Sequence, residues 1–172
     1  MEFLELAKKR YACRNYSNKV VEKEKLDKIL EAAHVAPTGG NCQPQKLIVV
    51  KEKEGLEKIK KAADIYEAPL AIIVCSNNEV AWKRPFDGKK LTDIDATIVT
   101  DHMMLEATNL GLETVWICYF KPEIIRNEFN IPNNFEIVNI LAIGYGNGTS
   151  ESPNRHINTR KSLNEIISYE KF

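Results

Sequence analysis

The sequence lacks every short signature that pairs a nucleophile with a base. It has no Gly-x-Ser-x-Gly, no His-Glu-x-x-His and no Walker-type lysine loop. Cysteine is scarce: Cys13, Cys42, Cys75 and Cys118 never fall at Cys-x-x-Cys spacing. His34, His102 and His156 show no metal-ligand spacing to one another or to the cysteines, which argues against a structural or catalytic metal. An excess of charge is missing too. Lys plus Arg and Asp plus Glu are both 24, so no broad basic face for nucleic acid is expected. No apolar run approaches the ~18 residues of a membrane span. The first residues lack the basic and apolar regions of a secretory leader, so the cysteines read as reduced thiols of a cytoplasmic protein. Repeats and low-complexity linkers are absent as well. The 172 residues, 44% hydrophobic and 28% charged, read as one domain over 1–172. A chain of that length can bury roughly two-thirds of its unfolded surface without staples.

What is present begins at Arg10, Tyr11, Ala12, Cys13, Arg14, Asn15 and Tyr16. Arg10 and Arg14 stand four apart, a spacing that leaves both on one side of a helix or of a strand. Two planar, permanently charged guanidiniums can converge on one phosphate, or they can simply line a solvated basic turn beside Lys8 and Lys9. A second stretch, from Ala36 through Pro37, Thr38, Gly39, Gly40, Asn41, Cys42, Gln43 and Pro44 to Gln45, lies between a helix and a strand. Its glycine pair allows backbone to approach a ligand closely, and its amides offer paired donors and acceptors.

Periodicity places the elements. Helices are predicted over Phe3–Lys9, from 22 to a stop at Pro37, over 52–64, over 93–110 and over 121–129, the last with Pro122 in its first turn. Strands are predicted over 46–50, 70–75, 114–119 and 135–143. The unbroken apolar run at 70–75 suggests a strand buried on both faces. Residues 76–91 show little periodicity yet carry Trp82 and Phe86, so this long connection reads as functional or as a loop packed onto the core. Helix 93–110 is apolar on more than one face, which a partner subunit could cover. Gly144, Gly146 and Gly148 precede no helical pattern and read as a turn, not a dinucleotide fingerprint. Residues 150–159 read as polar and extended.

Together, the Arg10–Tyr16 pattern and the segment from Glu31 to Pro44 resemble the nitroreductase family of FMN-dependent oxidoreductases, in particular its compact members. That family usually reads Arg-Arg-Ser-x-Arg-x-Phe/Tyr and then Ala-Pro-Ser-Gly-Gly-Asn-x-Gln-Pro-Trp. The resemblance implies an α+β fold with a central mixed or antiparallel sheet flanked by helices, and a long central helix at a homodimer interface. It implies FMN sites shared between subunits, NADH or NADPH as electron donor, and a small electron-poor acceptor such as a nitroaromatic or quinone. Turnover would be ping-pong, with hydride passing through flavin N5. No acid side chain is required, although Tyr119 or Lys83 could serve.

By position, the resemblance puts Arg10, Tyr11, Ala12 and Arg14 on the FMN phosphate, ribityl chain or pyrimidine edge. Ala12 stands where relatives have Ser, so a hydroxyl contact is lost. A cation such as Arg14 near the flavin N1 edge would stabilise negative charge there. Pro37, Thr38, Gly39 and Asn41 match the segment offered by the second subunit, with Gln43 beside it. Gln45 replaces the usual Trp. Ile117 and Cys118 match backbone that faces the flavin edge, and Gly144 with Tyr145 ends the last core strand. Arg160 and Lys161 match a basic pair that reaches the phosphate. The 76–91 connection matches a segment over the flavin. Other reductive activities stay open, namely enone reduction and reductive dehalogenation. So do a flavin-binding redox module without turnover, in which Cys13 or Cys42 matters, and a non-flavin binding domain.

Overall fold

In the computed structural model, residues 2–148 and 151–172 are described. Along the chain run α1 (Phe3–Lys9), α2 (Lys23–Val35), β1 (Gln45–Val50), α3 (Lys53–Lys60), β2 (Leu70–Asn77) and α4 (Thr92–Asn109). After them come β3 (Glu113–Ile117), α5 (Pro122–Glu128), β4 (Phe135–Gly144), α6 (Arg155–Thr159) and α7 (Leu163–Ile166). A single 3-10 turn covers Gly39–Asn41.

The four strands form one sheet in the order β1-β2-β4-β3, and every neighbouring pair is antiparallel. The apolar run that opens β2 is buried on both faces, as its lack of alternation predicts. Leu70, Ile72 and Val74 enter a core shared with Ile29 of α2 and with Val99 and Met103 of α4. Ala71, Ile73 and Cys75 enter a second core with Ile59 of α3 and Ile125 of α5. The sheet is thus the middle layer of three. Each buried Ile or Leu side chain contributes about 1.5–3 kcal/mol.

Helix α4 anchors one layer. Ala96, Val99, Met103 and Ala107 form its buried stripe, while Ile94 remains 42% exposed and Ile98 and Met104 are half-buried. The sequence predicted burial on almost all sides; within one chain Thr92, Asp95, Thr100 and Thr108 are buried beside the stripe, and the face carrying Ile94, Ile98 and Met104 stays partly open. Thr100 and Asn139 of β4 form a buried pair under this helix, with Asn139 Nδ2 donating to Thr100 Oγ1 at 3.1 Å. Lys25 Nζ donates to the Leu110 carbonyl at 2.8 Å, a cation on the helix's last orphan acceptors.

Before β3, the chain at 12–17 runs along the β3–β4 end of the sheet. Ala12 bridges Thr114 in parallel, and the Cys13 N–H donates to the Thr114 carbonyl at 2.9 Å. Tyr16 bridges Gly146 in the antiparallel sense. The mixed character expected of the sheet reduces to that one parallel bridge.

Some boundaries differ from the sequence reading. Ser76 and Asn77 belong to β2, because they continue its pairing onto Glu136 and Phe135. Cys118 and Tyr119 lie outside β3, whose pairing ends where Ile117 meets Ile140; both are exposed. Helix α3 stops at Lys60, short of Asp64. Within the segment expected to be extended, 155–159 is helical, whereas Ser150 lies outside the described residues. The connection 78–91 folds on itself as a small hairpin. Lys83 bridges Lys90, the Arg84 N–H donates to the Lys89 carbonyl, and the Arg84 guanidinium clasps Asp87. Phe86 stands at its tip, 94% exposed.

Candidate functional site

The end of α1 delivers the first half of the site. After Lys9 the backbone turns extended at Arg10, so α1 stops and residues 10–12 run toward the Thr114 bridge. Arg10, Tyr11, Ala12 and Arg14 then line an open cleft of about 450 Å³. The opposite wall comes from α6 and its flanks: Glu151, Arg155, His156, Thr159 and Arg160. Arg155 ties the walls together. Its guanidinium donates to the carbonyls of Lys8 (3.1 Å), Ser152 (3.0 Å) and Arg10. His156 Nε2 lies 3.3 Å from the Lys8 carbonyl.

Arg10 is half-buried, and its pKa is lowered, first by burial and then by the nearby charges of Arg155 and Arg160; Asp101 partly offsets them. Like charges crowded at a partly desolvated point are unfavourable alone and favourable around an anion. The cleft can therefore take an anion. Sequence reasoning named Arg10, Arg14 and Arg160 but missed Arg155 and His156. Their only local signal was two adjacent basic side chains in a polar stretch.

The second half is the turn after α2. Thr38 Oγ1 accepts from the Gln43 N–H at 3.1 Å, and Gln43 Nε2 donates to the Asn41 carbonyl at 3.1 Å. The Gly39 N–H donates to Asp95 Oδ1 at 2.9 Å. Asn41 (φ 54°) and Gln43 (φ 49°) are held in the left-handed region, as is Gly40. The glycine pair is needed here, though not simply for a ligand. A Cβ on Gly39 would meet Leu91 Cδ1 at 2.8 Å, and one on Gly40 would meet Trp82 Cδ1 at 2.8 Å. The close approach is to Trp82 and Leu91, which flank the Lys83–Lys90 bridge of the 78–91 hairpin. Pro37 and Asn41 are exposed, Thr38 partly so. The Gln45 side chain, in place of an aromatic, leaves Oε1 buried with no partner among the described residues.

Other expected positions lie elsewhere. Ile117 is buried in the sheet, and Cys118 follows it into solvent. Gly144 pairs with Glu113 at the opposite end of β3, roughly 13 Å away by strand rise. It is buried, and a Cβ there would meet Pro69 and Tyr16. Tyr145 is tied to α2 and the residues before it: its hydroxyl donates to Glu22 Oε2 at 2.6 Å, and Lys19 sits 3.8 Å over its ring. That hydroxyl, more than Lys19, holds the Glu22 carboxyl down at about 2. Lys161 is exposed and is not among the residues of the cleft wall. Tyr11 has its pKa pushed up by burial and by the neighbouring Glu113 carboxylate. Burial also pushes the Cys75 thiol up to about 11, which keeps it protonated and inert. Among the described residues no group of three or more His, Cys, Asp or Glu could hold a metal, and no helix is long and apolar enough to cross a membrane.

Comparison with known proteins places this geometry. The model described as Nitroreductase family matches residues 7–65 and 60–145. A nitroreductase family protein from Clostridium difficile 630 is 63% identical, with a TM-score of 0.98 over 100% of both chains. The FMN-dependent nitroreductase from Clostridium difficile R20291 is 29% identical, with a TM-score of 0.80 over 97% of this chain and 98% of that one. A protein of Archaeoglobus fulgidus, provisionally named an NADH dehydrogenase/NAD(P)H nitroreductase, is 32% identical over 84% of this chain and 85% of its own. On the family match, the sequence identity and the shared α+β architecture together, this chain belongs to the nitroreductase family.

Proposed function

We propose that residues 1–172 form one FMN-binding domain of an NAD(P)H-dependent oxidoreductase that reduces nitroaromatic, quinone or related electron-poor acceptors. The arginine cleft carries this reading. Arg10, Arg14, Arg155 and Arg160 oppose the carboxylates of Glu151 and Asp101. Four positive charges against two negative leave a surplus that matches a phosphate monoester dianion. Guanidinium forks suit that group, each charge-assisted bond being worth about 1.5–3 kcal/mol.

FMN, when bound, supplies the hydride-transfer chemistry that no side chain here provides. The chain's own residues bind and orient. Arg10, Arg155 and Arg160 hold the phosphate, with Arg14 on its rim and Tyr11 and Ala12 forming the floor. Pro37, Thr38, Gly39 and Asn41 supply polar backbone and side-chain contacts from a second subunit; Ile117, Cys118 and Gly144, which lie outside the arginine cleft, contribute backbone along β3 rather than to the phosphate. Lys161, free in solvent, is available to that second subunit. The names of relatives support the donor and the cofactor: the Archaeoglobus protein is named for NAD(P)H and the R20291 protein for FMN.

The homodimer in this proposal is supported by apolar side chains that one chain leaves open. Leu163, Ile166, Tyr169 and Phe172 are each more than 60% exposed, as are Phe3 and Leu4 of α1. Isolated exposed apolar residues are ordinary, but a run of them is not.

The decisive experiment is an absorption spectrum of purified protein before and after anaerobic NADH or NADPH. Flavin bands that bleach with either nicotinamide are expected. A colourless preparation that takes up no added FMN refutes the flavin reading; bands that neither nicotinamide bleaches refute the oxidoreductase.

A further inference from the structure

We infer that Asp95 is a positioning residue that fastens the 37–41 turn to α4 and, through Trp82 and Leu91, makes the turn and the 78–91 hairpin one mechanical unit. The inference rests on the flavin reading for its consequence, but its geometry stands apart from any ligand.

Asp95 is 1% exposed. Its Oδ1 accepts the Gly39 N–H at 2.9 Å, and its Oδ2 is sealed from solvent with no partner among the described residues. A carboxylate buried with a spare oxygen is costly, so it persists where its remaining bond matters. Position lowers that cost. Asp95 lies in the first turn of an 18-residue helix, where the macrodipole favours an anion, and its own N–H donates to the Leu91 carbonyl at 2.9 Å. The same residue therefore touches the turn by side chain and the hairpin's end by backbone.

The turn needs such a fastening. Left-handed φ at Asn41 and Gln43 costs energy for residues with a Cβ and survives only when surroundings over-determine it. Three bonds that involve a side chain and one aromatic do so, beside the turn's own backbone bonds: Thr38 with Gln43, Gln43 with Asn41, Asp95 with Gly39, and Trp82 lying on Gly39 and Gly40. Trp82 also accepts the Leu91 N–H at its carbonyl, 3.0 Å away, which closes the hairpin onto the turn. Loosening either end loosens both.

The test combines hydrogen exchange on the purified protein with FMN release followed by fluorescence. Asp95→Ala should speed exchange at Gly39 about tenfold or more, extend that rise into 78–91, and quicken FMN release about tenfold. Asp95→Asn retains an oxygen acceptor for the Gly39 N–H and should recover most of both; Asp95→Leu, which fills the same space and removes the acceptor, should be as loose as Asp95→Ala, whereas a purely space-filling role would leave it near wild type. Trp82→Ala should raise exchange at Gly39 although it removes no hydrogen bond there, and adding it to Asp95→Ala should bring little more. Unchanged Gly39 exchange in Asp95→Ala overturns the inference, as does Asp95→Asn as loose as Asp95→Ala. If Asp95→Ala does not fold, Trp82→Ala and Asp95→Asn decide by the same exchange readout. A wild type that binds no FMN defeats the flavin reading and leaves the exchange arm to judge Asp95 alone.

Discussion

Arg155 illustrates how one side chain can organise a site and also fill it. Its guanidinium spends donors on the carbonyls of Lys8, Arg10 and Ser152 while its charge still lowers the Arg10 pKa. Arg155→Ala removes a phosphate partner and the strap between α6 and the end of α1. FMN affinity is expected to fall about 10- to 100-fold, the equivalent of one charge-assisted bond, measured by fluorescence titration; affinity within twofold of wild type contradicts the role. Gly146 makes a simpler point at this scale. A Cβ there would sit 1.5 Å from Glu113 Oε2, so this buried carboxylate needs a residue without a side chain opposite it.

Helix α4 was the most legible element and its depth of burial the least. Its span came directly from the run of Ile94, Ala96, Val99, Met103 and Ala107, and β2 from its six apolar residues, because burial writes itself into composition. What hydrogen bonding adds across elements left no local trace. Nothing in the sequence singles out Asp95, whose bond to Gly39 spans 56 residues. Helix α6 was read as extended because Arg155–Thr159 has a single apolar residue; its contacts are with backbone carbonyls more than 140 positions away. Arg10 and Arg160 were recoverable only through the family pattern, since a basic residue near a chain end is usually solvated. The buried pair under α4 gives the test at this scale. Thr100→Val strips Asn139 of the partner that its amide uses, and unfolding in urea should show a loss of about 1–3 kcal/mol. A loss under about 0.5 kcal/mol would mean that water or a shifted neighbour satisfies the amide.

For the whole molecule, three layers enclose two cores, yet the segment from Ile157 to Phe172 keeps its apolar side chains outside both. In the proposed homodimer that segment has a partner to cover it. Sedimentation equilibrium should therefore report twice the 19.6 kDa chain mass, and removal of residues 163–172 should shift the population toward the single chain. A full-length protein that sediments at 19.6 kDa while retaining flavin contradicts the shared site. The hairpin between Trp82 and Leu91 bears on a different question. It closes through its own bridge and its own Arg84–Asp87 clasp, and its tip residue Phe86 touches almost nothing. Such a segment behaves as an exchangeable cassette: its tip at Pro85 and Phe86, outside the clasp, can be rewritten, by drift or by an engineer, to greet different molecules while the cores beneath stay untouched.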